Sequence, residues 1–191
     1  PGGRGKSTFA NLCCALIGNG NYASTTLNQL EQSRFEIASI KGKRLTLIND
    51  SERYGGSAQI FKALTGGDNL RFEEKNKNVG EPFVYTGMVM VCANEPIQTT
   101  DNTSGLTRRR LTVEFNRPLW DKNSEAVEMI KLENGEVAGL WKSYLPGLVN
   151  WVLKMSTKEM REYLLDTYEK VDHLKAVSCL LYTSDAADDQ A

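Results

Sequence analysis

The first eight residues read PGGRGKST, and Gly5-Lys6-Ser7-Thr8 closes the phosphate-binding pattern G-x-x-x-x-G-K-[ST]. Counted back from Gly5, the first glycine of that pattern falls one place before Pro1, so the strand expected to feed the loop precedes this sequence. Gly2, Gly3 and Gly5, with Arg4 among them, let the backbone turn its N–H groups around phosphate oxygens. Lys6 has the charge and reach for β- and γ-phosphates, and the hydroxyl of Ser7, followed by Thr8, is a ligand for Mg²⁺. The STFANLCCALIG that follows has helical spacing, which would set the phosphates at a helix N-terminus. A glycine-rich turn can also merely open a helix. The acids and amide downstream favour the nucleotide site.

Those partners sit at the ends of apolar runs. LTLIND reads as a buried parallel strand with its carboxyl end at the site, and Asp50, Ser51 and Glu52 follow as D-S-E. Asp50, nearer the strand, is the metal candidate; Glu52 is the candidate base for an attacking water. GMVMVCAN reads as a second buried strand ending at Asn94, whose amide can orient that water and sense the γ-phosphate. Asn94 could equally form the turn before Glu95-Pro96. Three basic clusters are candidates for nucleic acid: KGKR at 41–44, Lys75 with Lys77, and Arg108-Arg109-Arg110.

The elements that must position these groups are legible in outline. GNGNYAST reads as a loop, and TLNQLEQSRFEIASI as a helix with Leu27, Leu30, Phe35 and Ile37 on its apolar side. SAQIFKALTGGDN predicts a short helix stopped by Gly66-Gly67, and LRFEEKNKNVGEPFVY a ribbon turning near Asn76 to Gly80 with lysines at its tip. Leu111, Val113 and Phe115 alternate like a strand. Beyond Pro118 the pattern changes to helices: KNSEAVEMIKLENG, then AGLWKSYLPGLVNWVLKM with a thick apolar face and a bend at Pro146, then a helix opened by Ser156 or Thr157 and Glu159.

With 191 residues, 40% hydrophobic and 25% charged, the chain suits one α/β domain with an appendage. No apolar run reaches the roughly 18 residues of a membrane span and no signal peptide opens the sequence as given; the expectation of a cytoplasmic protein comes from the cysteines. Cys13, Cys14, Cys92 and Cys179 lack metal spacing and fit a reducing compartment, and His173 reads as a surface residue. A net charge of −1 means that any nucleic acid must be held by local basic patches. Cys179 to Asp189 resembles a translated sequencing-library adapter, so 179–191 reads as a non-native tail on a fragment and has no part in the functional reading.

In order, GGRGKST, LTLINDSE, KALTGGDNLRFEEKNK, MVMVCANEP, GLTRRRLTVEF and LPGLVNWVL resemble the superfamily-3 helicase domain of phage, plasmid and poxvirus primase-helicases, over residues 1 to about 155. The resemblance implies a three-layer α/β P-loop NTPase core of AAA+ type with a parallel central sheet over 1–120, and a small helical subdomain over 121–178. It implies an ATP- and Mg²⁺-dependent DNA helicase that forms a ring, usually a hexamer, around single-stranded DNA and opens forked duplex, with a primase module possible in a longer chain. By resemblance, Lys6 and Ser7 serve phosphates and metal, Asp50 or Glu52 the acidic motif, and Asn94 the sensor. Lys75 would lie on a channel-facing hairpin, and Arg108 or Arg109 would be the finger reaching a neighbour's ATP. Relatives carry adjacent acids or one glutamate where Ser51 here separates two. The competing readings are a small-molecule or nucleoside kinase and a DNA-loading ATPase that does not unwind.

Overall fold

In the computed structural model the described residues are 4–50, 59–73, 80–93, 111, 113, 115 and 128–170, with only the backbone described at Asp50 and 164–170. The architecture is mixed α/β around a three-stranded parallel sheet of order β1-β2-β5. Its strands are β1 (Tyr22–Thr25), β2 (Leu45–Asp50) and β5 (Met88–Ala93). Tyr22 pairs with Leu45, and Leu45 with Met88, so all three strands start at one edge and end at the other.

β2 is the core of the sheet, with Leu45, Thr46, Leu47 and Ile48 all buried. Helix α1 (Lys6–Ile17) packs Ala10 and Cys14 against Leu45 and Leu47, joined by the half-buried Cys13, Ile17, Tyr22, Met90 and Cys92. Burial, then the neighbouring Cys13 and Cys92, pushes the Cys14 thiol up to about 11, so it stays protonated and acts as a small apolar side chain. On the opposite face by alternation, Thr46 Oγ1 donates to Tyr85 Oη at 2.9 Å, and the Tyr85 hydroxyl donates to the Met88 carbonyl at 3.1 Å.

The expected single helix over residues 26–40 is two: α2 (Leu27–Gln32) and α3 (Arg34–Ile40). Ser33 between them is extended, and its side chain caps α3 by accepting from the Glu36 N–H, as Thr26 caps α2 through Gln29. Phe35 is exposed; Ile40 takes the buried place. YAST, expected as loop, is strand β1. GMVMVCAN does form β5, yet Val89 to Ala93 are only half-buried, because among the described residues β5 pairs with β2 alone. Helix α4 (Gln59–Gly66) ends where Gly66-Gly67 predicts, and β3 (Asn69–Leu70) pairs antiparallel with β4 (Phe83–Val84).

The expected helix over KNSEAVEMIKLENG is contradicted at its described end. Lys131–Glu133 and Glu136–Ala138 are β6 and β7, an antiparallel hairpin turning at Asn134 (φ 51) and Gly135 (φ 82). Both turn residues need positive φ, which Asn-Gly supplies. Leu132 of this hairpin covers the α1 cluster. A 3-10 turn over Leu140–Tyr144 leads into α5 (Leu145–Leu153), with Pro146 in its first turn, where its missing N–H costs nothing. Of Leu140, Trp141, Tyr144, Leu148, Trp151 and Val152, expected as a thick apolar face, only Leu148 is half-buried and the other five are exposed. Leu111 and Val113 are exposed as well, while the Phe115 ring lies 5.8 Å from that of Phe9. The chain divides into two compact units, Pro1–Thr103 with Phe115–Leu145, and Ser104–Glu114 with Pro146–Ala191.

In the second unit, α6 (Thr157–Lys170) opens with the expected reciprocal cap: Glu159 accepts from the Ser156 N–H at 2.8 Å and donates its own N–H to Ser156 Oγ at 3.2 Å. The bond to its carboxylate lowers the Glu159 pKa below its ordinary 4.5. A lowered folded value makes this cap fully effective above that ordinary pKa and loses it as pH falls through the folded one. The protection of amides 157–160, measured against the intrinsic exchange rate at each pH, should therefore fall on acidification below about pH 4.5. Glu159→Gln should remove that acid dependence.

The Thr46–Tyr85 bond makes a second prediction. Tyr85→Phe strands the hydroxyl of Thr46, which is 0% exposed, and should cost about 1–3 kcal/mol in urea unfolding. Thr46→Val on top of Tyr85→Phe should recover part of that loss, since the stranded polar group is then gone. A double variant less stable than Tyr85→Phe alone would show that the pair's polarity is not what matters.

Candidate functional site

Gly5 precedes α1 in the left-handed region, at φ 87 and ψ 3, a conformation costing roughly 1–2 kcal/mol for a residue with a Cβ. The first helical bond runs from the Phe9 N–H to the Gly5 carbonyl at 2.9 Å, which leaves the N–H groups of Lys6, Ser7 and Thr8 at the open end of the helix. Among the described residues no side chain caps this end, and no acid lies in the first turn. The helix thus presents first-turn donors that its own carbonyls do not take up, and the positive end of its dipole. That donor set, with Lys6 as the first helical residue, fits a phosphate. Arg4, Lys6 and Thr8 are half-buried and Ser7 is exposed; Gly2 and Gly3 lie outside the described residues.

Packing decides where this open end lies. Cys92 is the penultimate residue of β5 and belongs to the α1 cluster. Burial pushes its thiol up, while the Lys6 ammonium pulls the other way. The charge of Lys6 is therefore felt at the carboxyl edge of the sheet, the edge at which open α/β sheets bind ligands. At that edge Asp50 is the register partner of Ala93. The strand ends that carry Asp50 and lead to Asn94 are thus neighbours, and both are at the Lys6 edge. Glu52, Asn94, Arg108 and Arg109 lie outside the described residues. Among the described residues no cluster of His, Cys, Asp or Glu could hold a metal by itself. A Ser7 hydroxyl with one carboxylate and phosphate oxygens fits the sparse protein ligation usual for Mg²⁺.

The same face and edge hold a pair that the sequence reading passed over. Asn49 Nδ2 donates to Ser24 Oγ at 3.0 Å, and both side chains are exposed. The signal for Asn49 was an amide inside an otherwise apolar strand, where Asn is depleted. Ser24 was hidden by reading YAST as a loop.

The described ends of the segment expected as a lysine ribbon are held in several ways. Asn69 and Leu70 pair with Val84 and Phe83, so the chain from 71 to 82 leaves and returns at one place. Lys75 and Lys77 lie outside the described residues. Phe72, 1% exposed, meets Phe83 edge-on at 5.6 Å, and the Lys41 ammonium stands 4.2 Å over its ring. Gly80 lies so close to the Phe72 ring that a Cβ there would run into it. Arg34 adds an ion pair to Glu73 at 3.0 Å, and the Glu73 N–H donates to the Arg34 carbonyl. Of the KGKR cluster, Lys41 thus serves this neck and Lys43 donates to the Gly20 carbonyl at 2.6 Å. Arg44 is exposed just before β2 begins, at the opposite end of that strand from Asp50. No helix among the described residues is long and apolar enough to cross a membrane.

Comparison with known proteins gives a family and several relatives. An uncharacterized mitochondrial protein, ymf20, of Marchantia polymorpha is 28% identical over 122 residues, covering 64% of this chain and 71% of that protein. Initiator protein NS1 of Aleutian mink disease parvovirus (strain G) is 24% identical over 139 residues, 69% of this chain but only 22% of that protein. Residues 1–110 match DUF5906, a family of unknown function. That match takes in the open end of α1 and all three strands of the parallel sheet, and with more than half of its length inside it the chain belongs to the DUF5906 family.

Proposed function

We propose that the chain is the ATPase core of a DNA helicase of superfamily-3 type, with a P-loop NTPase fold of AAA+ type, working in DNA replication. The observation that carries the reading is the uncapped start of α1, opened by left-handed Gly5 and led by Lys6, at the carboxyl edge of a parallel sheet. The similarity to an initiator protein of a parvovirus supports a replicative role.

In this reading ATP with Mg²⁺ supplies the phosphoryl group whose transfer to water drives the motor. The protein's share is positioning and electrostatics. The α1 N–H groups and Lys6 bind and neutralise the phosphate tail, Ser7 and Asp50 hold the metal, Glu52 takes the proton of the attacking water, and Asn94 orients it. Arg108, or else Arg109, reaches the site of a neighbouring copy in a ring, a hexamer by the resemblance. Lys75 and Lys77 contact single-stranded DNA from the ribbon. The secured ends of segment 71–82 support this reading, in which the lysines between them meet a nucleic acid strand.

The deciding experiment measures ATP hydrolysis with and without single-stranded DNA, then strand displacement on a forked duplex. Stimulation with displacement is expected. Stimulation without displacement would point to a DNA-loading ATPase, and hydrolysis indifferent to DNA to a kinase-like enzyme. Lys6→Ala should abolish hydrolysis, while Lys75→Ala should keep the basal rate and lose the stimulation by DNA.

A finger acting across a subunit boundary is worth about 10³–10⁵ in rate. Arg108→Ala and Lys6→Ala proteins should therefore each be inactive alone and recover activity when mixed, since a mixed boundary can join an intact Lys6 to an intact Arg108. Mixed rings that assemble and stay inactive would exclude a finger acting between subunits.

A further inference from the structure

The α1 face of the sheet ends in polar groups that the chemistry above leaves unused. Alternation along β2 puts Leu45, Leu47 and Asn49 on one face. Register sets Asn49 beside Cys92 and Ser24 beside Leu47. Leu45, Leu47, Tyr22 and Cys92 pack with Ala10 and Cys14 of α1, so Asn49 and Ser24 belong to the face that the helix covers. They stand where that cover stops, and both are exposed.

Two further observations bear on what this pair is for. Asn49 directly follows the buried run Leu45–Ile48, at a strand position where an amide has no packing advantage. A local rule broken inside an otherwise consistent element marks a functional position more often than a structural one. In addition, the Lys6 charge reaches Cys92, the lateral neighbour of Asn49. The end of a phosphate tail that meets Lys6 would thus lie toward this row. Asn49 spends one amide N–H on Ser24; among the described residues its second N–H and its Oδ1 have no hydrogen-bond partner. Because the amide is planar, fixing one N–H fixes the direction of the other and of the oxygen.

We propose that Asn49 contacts the terminal phosphate of a nucleoside triphosphate held at Lys6, and that Ser24 is the positioning residue that sets its amide plane. The inference rests on the reading of the α1 start as a phosphate site and extends it: the Ser24–Asn49 pair tells a triphosphate from a diphosphate. An N–H donor meets the extra charged oxygens of the longer tail, and a diphosphate leaves that donor to water. Ser24 acts only through Asn49.

The test uses the full chain and equilibrium binding, with Mg²⁺ present, of a non-hydrolysable ATP analogue and of ADP, beside thermal melting. A hydrogen bond to a charged group is lost in Asn49→Ala, so affinity for the triphosphate analogue should fall about 10–100-fold while ADP binding stays within about 2-fold. Asn49→Asp should weaken the triphosphate further, by placing like charge against it. Ser24→Ala should show part of the Asn49→Ala effect, and Ser24→Thr, which keeps the hydroxyl, should restore it. Equal losses for both nucleotides, or a lowered melting temperature with both affinities unchanged, would overturn the inference and leave the pair as a tie between β1 and β2. Lys6→Ala separates this from the parent reading. If Lys6→Ala loses both nucleotides and Asn49→Ala neither, the phosphate site stands and the inference alone falls. If the wild-type chain binds neither nucleotide, both fall.

Discussion

Ala10 and Cys14 of α1, packed on Leu45 and Leu47, fix the helix along one face of the parallel sheet, and the open start of α1 reaches the carboxyl edge only while that packing holds. The contact is apolar and small, so it has little slack: truncating a buried leucine to alanine in such a core costs about 2–5 kcal/mol, and its cavity would let the helix shift. The three thiols there follow the same logic. Burial raises all of them, which keeps them protonated and inert despite the nearby lysine. Cys13, Cys14 and Cys92 are packing groups.

With α1 held in this way, its chemistry follows from what its first turn lacks. A capped helix start brings a side chain to its own donors, whereas here Gly5 has none to offer and the first turn has no acid. Its left-handed Gly5 replaces the usual Ser, Thr or Asp of a cap. α2 and α3, a few residues away, carry Thr26 and Ser33 as ordinary caps. α1 is thus the exception among neighbours, and it is the exception that faces the strand ends. The ribbon neck shows the converse principle. Its individual contacts are weak, the Arg34–Glu73 pair being too exposed to add much stability. What they do together is hold Phe72 buried between Lys41, Phe83 and Gly80.

How much could be read from sequence depended on whether the signal was local. The end of the P-loop pattern, the apolar run of β2, the stop at Gly66-Gly67 and the Ser156–Glu159 cap are each written in a few adjacent residues, and the described structure has the corresponding helix start, strand, helix end and cap. Strand β1 escaped because YAST is short and half polar; its pairing with β2, not its composition, makes it a strand. The break at Ser33 escaped because a helical period runs on across it, though S-x-x-E at 33–36 announces a new start. The β6–β7 hairpin was submerged in the helical pattern around it, although Asn134-Gly135 is a strong hairpin signal. The apolar residues of 140–152 were expected to pack because apolar spacing implies a partner face, and spacing cannot say whether the same unit supplies one. At the site, residue types marked Lys6 and Asp50, but the Ser24–Asn49 pair needed the register of two strands to be seen.

The central claim is that the start of α1 binds the phosphate tail and not the base or sugar. Competition at equilibrium tests this most directly: a fluorescent ATP analogue with Mg²⁺ is bound to the full chain and displaced by tripolyphosphate, by AMP and by adenosine. Tripolyphosphate, which offers the tail alone, should displace the analogue in wild-type protein and do so far less in Lys6→Ala, while AMP and adenosine should compete poorly. Displacement by adenosine or AMP as effective as by ATP, with tripolyphosphate inert, would contradict the account.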